Sequence, residues 1–347
     1  MPCGLFHNRY RTDERIFQTI WVRSWLTVFG IIVLLMPFFV SDYIIYVTNT
    51  IFIFIVGAIG LNILTGFTGQ ISIGHGAFAA VGAYTSAILT TKLGISFWIA
   101  FPIAGFFTAL IGMIFGIPSL RVKGLYLVIA TLAAQFVIEY TIIHWENLTN
   151  GITGIFVPSP ELFGFVFNTD KKFYYLLLAF AVSAVASGRN IFRTRVGRAF
   201  IAIRDRDIAA ELVGISLFKY KLLAFAISSF YAGIAGCLWG YYTNVITPEH
   251  FTIVLSIDYL AMIIVGGLGS IIGTIFGVIF ITILPELLTT IGLILKGTFG
   301  EITTLLSALK GLIFGVTIIL FLVFEPEGLA EIWRRVRAYW KLWPFSY

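Results

Sequence analysis

Long apolar runs, broken by short polar or Gly- and Pro-marked turns, organise this chain. They cover about 24–40, 43–64, 74–93, 96–118, 125–144, 173–187, 221–242, 269–288 and 305–324, with a shorter run, 253–265, ahead of the eighth. Most approach the roughly 20 apolar residues that an α-helix needs to cross a bilayer. The pattern predicts an all-α polytopic membrane protein with about 8–10 transmembrane helices and broken Gly-rich elements.

The polar positions set an orientation. Basic residues gather in four places: Arg9, Arg11, Arg15 and Arg23 in the leading tail, Arg121 and Lys123 in the turn at 118–124, eight in 188–221 against three acidic residues, and Arg334, Arg335, Arg337 and Lys341 in the closing tail. The positive-inside rule places these regions in the cytoplasm, together with 18 of the 23 Lys and Arg residues. Asp42, Glu146, Glu161, Asp170 and Glu249 fall on the opposite loops. Two cytoplasmic termini need an even number of crossings, which nine long runs do not give. The run 253–265 therefore either crosses as a short helix or joins its neighbour as a broken hairpin. Asp258 within it, and Gly266, Gly267 and Gly269 after it, favour a broken element shielded by protein. Ten crossings are favoured. The expected organisation is a cytoplasmic tail at 1–23, a transmembrane domain at 24–324 containing a cytoplasmic loop at 188–220, and a cytoplasmic tail at 325–347.

Composition agrees. The chain is 59% hydrophobic and 12% charged, whereas soluble domains are about a quarter charged, so a soluble enzyme is excluded. The net charge of +6 is spread over several loops, which suits membrane orientation and gives no nucleic-acid surface. Cys3 and Cys237 match neither a metal spacing nor a disulfide framework, and the four histidines are scattered without paired carboxylates. No metal site is expected. The polar first 24 residues give no sign of a cleavable signal peptide.

Chemistry concentrates in three places. The first is 195–215, RVGRAFIAIRDRDIAAELVGI, which carries charges of both signs inside an apolar chain. A short helix is expected over 197–204. Asp207 is placed to cap a second short helix with its carboxylate, Glu211 lies near that helix's positive end, and Gly214 supplies a left-handed C′ position. Ala209 and Ala210 are expected to be exposed enough for close approach. On composition alone, an ordinary basic loop that only fixes topology explains the segment as well.

The second place is intramembrane. Thr131, Gln135 and Glu139, at i, i+4 and i+8, form one polar stripe on a helix. They suit a pathway lining, a hydrogen-bonded helix contact or, for Glu139, a carboxylate reaching the outer interface. Asn62 and the Gly66-to-Gly76 element, with Gln70, Ser72 and His75, offer unwound backbone to a polar solute, although His75 reads at least as well as a satisfied buried histidine. Asp258 suits capping or a broken helix better than ion coupling. The third place is small-residue spacing. Gly269, Gly273 and Gly277, like Ala232, Gly236 and Gly240, form flat faces for tight helix packing, within this chain or against a second membrane subunit. The stretches beginning at Gly66 and Gly266 resemble each other and hint at a duplicated unit.

Several of these motifs together resemble one family. The segment 195–215 followed by KYKLLAFAISSFYAGIAG is similar to the conserved cytoplasmic loop of ABC importer permeases. LNILTGFTGQISIGHGAFAAVGAYTSAIL, LYLVIATLAAQFVIEY, ENLTNGITGI and VGGLGSIIGTIFG resemble, in order, the permease subunit of branched-chain amino acid importers. The similarity runs from about Leu61 to Leu288. It implies a coupling helix that sits in a groove on a separate ATPase, with Arg198, Arg204, Asp205, Asp207, Ala209, Ala210, Glu211 and Gly214 as the docking residues. It also implies a second, similar permease, two ATPase subunits that carry ATP and Mg, a periplasmic or extracellular binding protein, and no cofactor in this chain. The chain has no G-x-x-x-x-G-K-[ST] phosphate loop, so an ATP-driven engine must be another polypeptide. The expected location is a bacterial-type inner membrane, and the expected cargo is Leu, Ile or Val. Urea, short amides or another small polar solute is the alternative cargo, and an ion-coupled secondary transporter is the alternative class.

Overall fold

An apolar environment offers the backbone no water, so a chain segment that enters it must satisfy its N–H and C=O groups locally, as a helix does. The computed structural model describes residues 20–120, 124–162, 164–296, 302–325 and 327–342. Cys3, Arg9, Arg11, Arg15, Arg121 and Lys123 lie outside the described residues, as do the side chains of Arg23 and Lys341. The apolar runs form α1 (Ile20–Phe39), α2 (Asp42–Leu61), α3 (His75–Thr91), α4 (Phe97–Gly116), α5 (Leu125–His144) and α6 (Asp170–Arg193). Two short helices follow, α7 (Arg195–Asp205) and α8 (Asp207–Leu212), and then α9 (Leu217–Thr243), α10 (Ile253–Gly266), α11 (Ile271–Lys296), α12 (Ile302–Phe324) and α13 (Leu329–Leu342).

Among the described residues, seven helices are long and apolar enough to cross a membrane, or eight if the bent pair Gly311–Phe324 and Leu329–Tyr339 counts as one span. Helix length among the described residues thus accounts for seven or eight of the ten crossings expected. α3, with 17 residues, is shorter than these seven and begins beside Gly57 of α2. By contrast, α2 runs on through a π-helical segment, Asn62–Phe67, to give a 26-residue span.

The centre of the bundle is α2, α3, α4 and α9, whose apolar residues form one buried cluster. Small residues bring these helices close together. A Cβ on Gly236 would collide with the carbonyl of Ala79, and one on Gly82 would collide with the backbone of Gly233. Farther along, Gly273 and Gly277 face Gly266 and Met262 of α10. Gly269 is not on that face as expected. It precedes α11 and belongs to the break between α10 and α11. At the far end of the bundle, two short antiparallel ladders tie the loops, pairing Ile155–Phe156 with Val245–Ile246 and Glu161–Leu162 with Phe165–Val166.

The α3–α9 seam generates a stability prediction. Gly236→Ala should cost about 1–3 kcal/mol through overpacking, read as a lower unfolding midpoint of the detergent-solubilised protein. Gly30→Ala on α1, where nothing lies within 4 Å of the new Cβ, should leave the midpoint unchanged or slightly raised.

Candidate functional site

The two Gly-rich stretches meet at the end of the bundle that carries α7 and α8. A Cβ on Gly66 would run into the backbone N of Gly269. After the π-helical turn, backbone 69–74 is non-helical and climbs back alongside α2. Thr68 Oγ1 donates to the Leu64 carbonyl, Thr65 Oγ1 donates to the Gln70 carbonyl at 3.1 Å, and the Gln70 N–H donates to the Leu64 carbonyl at 3.1 Å. The local sequence thus closes its own break.

Asn62 holds the second break to the first. It is buried, and its Nδ2 donates to the Ser270 carbonyl at 3.1 Å and to Thr274 Oγ1 at 2.6 Å, while its Oδ1 accepts from the Gly269 N–H at 2.9 Å. Arg204, from the last turn of α7, spans both stretches. Its aliphatic stem covers Gly69, and its Nη1 donates to the Gly66 carbonyl at 2.7 Å. A Cβ on Gly269 would lie 2.7 Å from the same Nη1, and Gly269 has φ +79°, so glycine fits this position on both counts. Of the expected docking residues, Arg204 therefore turns its guanidinium into the bundle.

The start of α3 lies at the level of Gly57, near the middle of the Asp42–Phe67 span. His75 Nε2 is 2.9 Å from the Gly57 carbonyl, and its ring lies edge-on to Tyr259. The free N–H groups of a helix start need acceptors, and neighbouring helices supply them. Ile73 N–H donates to Thr131 Oγ1 (3.1 Å), Gly76 N–H to Ser256 Oγ (2.8 Å) and Ala77 N–H to Gln135 Oε1 (2.8 Å). Gln135 Nε2 then donates to the Phe251 carbonyl at 2.8 Å, and Ser72 Oγ accepts from the Gly74 N–H at 3.3 Å. Thr131, Gln135, Ser72 and His75 thus hold the half-helix in place. Gln70 differs. It is buried, and neither Oε1 nor Nε2 meets a partner among the described residues. It lines a cavity of about 240 Å³ that also touches Arg204, Asp205, Asp207 and Lys221.

The α8 segment departs from expectation in detail. Arg206, with extended backbone, occupies the cap position, and Asp207 is the first helical residue. Asp207 Oδ1 accepts from the N–H of Ile208 at 2.9 Å, and Oδ2 lies 3.9 Å from the buried Lys221 ammonium. The attraction of Lys221 turns the Asp207 carboxylate towards the bundle. Gly214 has φ +88°, and the Ile215 N–H to Ala210 carbonyl (3.0 Å) and Gly214 N–H to Glu211 carbonyl (2.9 Å) bonds complete a Schellman stop. Ala210, expected to be exposed, is buried because it packs on the inward side of the turn. Ala209, Glu211, Arg198 and Asp205 are exposed.

Sequence reasoning missed what the outer side presents. Ile208, Leu212 and Val213 are 70%, 84% and 83% exposed. Their i, i+4, i+5 spacing was the available signal. Asp258 lies within α10 rather than at a cap or a break. The inward roles of Ser256 and Thr274 carry no sequence signal, since both belong to contacts between distant parts of the chain.

Residues 43–322 match the family model described as branched-chain amino acid transport system / permease component. The chain is 30% identical over 341 residues to the high-affinity branched-chain amino acid transport system permease protein LivM of Escherichia coli K12, covering 91% of this chain and 77% of that protein. It is 26% identical to the LivH permease protein of the same organism, over 63% of this chain and 76% of the relative. It is also 26% identical to the probable LivH permease protein of Methanocaldococcus jannaschii, over 81% and 89%. No solved structure matches the chain.

The Asn62 contacts generate the next prediction. Asn62→Ala leaves the Gly269 N–H without its acceptor in a buried setting, which costs about 1–3 kcal/mol. The unfolding midpoint should fall more than for Thr141→Ala, whose hydroxyl bond to Val137 lies on an exposed helix surface.

Proposed function

This chain belongs to the permease component family of branched-chain amino acid transport systems, and from that premise we propose that it carries Leu, Ile or Val inward across a bacterial-type cytoplasmic membrane. It is a multi-span permease component of an ABC transport system and not itself an enzyme. In the proposed assembly it pairs with a second, similar permease, two ATPase subunits that bind ATP and Mg, and a binding protein on the outer side. Likeness to both LivM and LivH permease proteins of Escherichia coli supports pairing with a similar chain. The reading has ten crossings and both termini cytoplasmic, counting α1, α3 and α12 with the seven long spans. The basic residues gathered in the expected cytoplasmic loops and tails support it.

The observation that carries the proposal is the outward side of α8. Ile208, Leu212 and Val213 leave a large apolar surface on a six-residue helix, set among exposed Arg198, Asp205, Arg206 and Glu211. Such a surface in water is unfavourable unless a partner covers it. An ATPase groove is the fitting partner, since this chain lacks a phosphate loop of its own. Behind α8, the Asp207–Lys221 ion pair and the Arg204–Gly66 bond join the docking helix to α9 and to the Gly-rich breaks. Movement of the ATPases is thereby delivered to the places where the membrane helices are discontinuous. That suits alternating access, in which rigid pieces rock about a central site.

Two substitutions test the proposal in proteoliposomes holding the full complex. Leu212→Asp with Val213→Asp should lower leucine uptake about tenfold or more, the scale of losing an interface anchor, and should abolish the stimulation of ATP hydrolysis by loaded binding protein. Because both side chains are exposed, the permease should insert at its normal level, read by immunoblot of the membranes. Normal leucine uptake by this variant overturns α8 as the coupling helix.

A further inference from the structure

Asp258 is a carboxylate at membrane depth that the bundle does not use. Its level is set by its neighbours. Ser256 accepts the Gly76 N–H at 2.8 Å, and Tyr259 stands 5.1 Å, ring to ring, from His75 at the buried start of α3. No hydrogen bond or ion pair holds Asp258 among the described residues. One side of α10, with Ser256, Tyr259 and Met262, is buried in the bundle. The other side leaves Val254 60% and Ile257 42% exposed, with Asp258 half-buried beside them. An ionised carboxylate turned to hydrocarbon is costly, and carboxylates at this depth face water-filled cavities or partners instead.

Building on the reading of the chain as an amino acid permease, we infer that Asp258 receives the ammonium group of the amino acid as it passes along α10, with Val254 and Ile257 offering an apolar wall to its branched side chain. The three residues lie at i, i+3 and i+4, and so share one helix face. Their chemistry is complementary to the cargo. A single negative charge meets the single positive charge of the zwitterion, and two branched aliphatic side chains meet a third. The exposed face of α10 then lines the route between this permease and its partner.

The test uses proteoliposomes with the complete complex. Asp258→Asn should reduce leucine turnover about tenfold or more, the scale of losing a hydrogen bond to a charged group, while Asp258→Glu restores much of it. Stimulation of ATP hydrolysis by loaded binding protein should persist in both, since α8 is untouched. Wild-type leucine uptake by the Asn variant overturns the inference and leaves the proposed function standing, whereas absence of leucine uptake by the unmodified complex overturns the function itself. If the Asn variant does not assemble, the unmodified complex decides the matter. A water-soluble carbodiimide with an added amine should label Asp258, read by peptide mass spectrometry, and leucine with loaded binding protein and ATP should protect it. Labelling only by a lipid-soluble carbodiimide, or a zero-length cross-link from Asp258 to a lysine of the second permease, overturns the inference.

Discussion

Irregular backbone inside an apolar bundle has no water to bond, so every break in a helix must bring its own hydrogen-bond partners. The centre of this protein is organised by that requirement. Two breaks, one after α2 and one between α10 and α11, lie against each other, and a few side chains satisfy what the helices leave open. Asn62 bridges from the first break to the second with three bonds. Thr131, Ser256 and Gln135 complete the start of α3 in the middle of the bundle. Remove the polar side chains and the breaks become unsupportable; remove the glycines and the two backbones can no longer approach.

The same constraint connects the surface to the interior. Arg204 belongs to the exposed loop by sequence, yet its guanidinium closes the Gly66 carbonyl. Asp207 starts the short helix α8 and also leans towards the buried ammonium of Lys221. α7 and α8 are thus tied to the Gly66 break and to α9 respectively. Near these groups, Gln70 is buried and its amide meets no partner among the described residues. On the outer side of α8, Ile208, Leu212 and Val213 stand exposed among charged residues.

Much was legible before the fold. The run at 125–144 became a helix with those bounds, and Gly214 took the left-handed position expected of a C′ glycine. These depend on local periodicity and local backbone geometry, which a single segment carries. Other features escaped for definite reasons. Ala210 looks like a surface residue of a charged loop, but its burial depends on which side of α8 meets the bundle. Gly269 continues a spacing of four with Gly273 and Gly277, yet it precedes the helix, because the chain must turn there under Arg204. The two Gly-rich stretches look alike in sequence, and nothing in either one says that they touch.

The sequence by itself determined that this chain is a multi-span helical membrane protein and which family it resembles. Hydrophobic periodicity is a property of neighbouring residues and suffices for the first conclusion, while motifs in a fixed order along the chain carry the second. Only the tertiary structure decided that α3 begins halfway through the bundle, that Asn62 and Arg204 join segments some 140 to 210 positions apart, and that Asp258 stands on a side of α10 that the bundle leaves uncovered. Those facts depend on which faces meet, and that choice is made by close packing and by the demand for hydrogen-bond partners across distant parts of the chain.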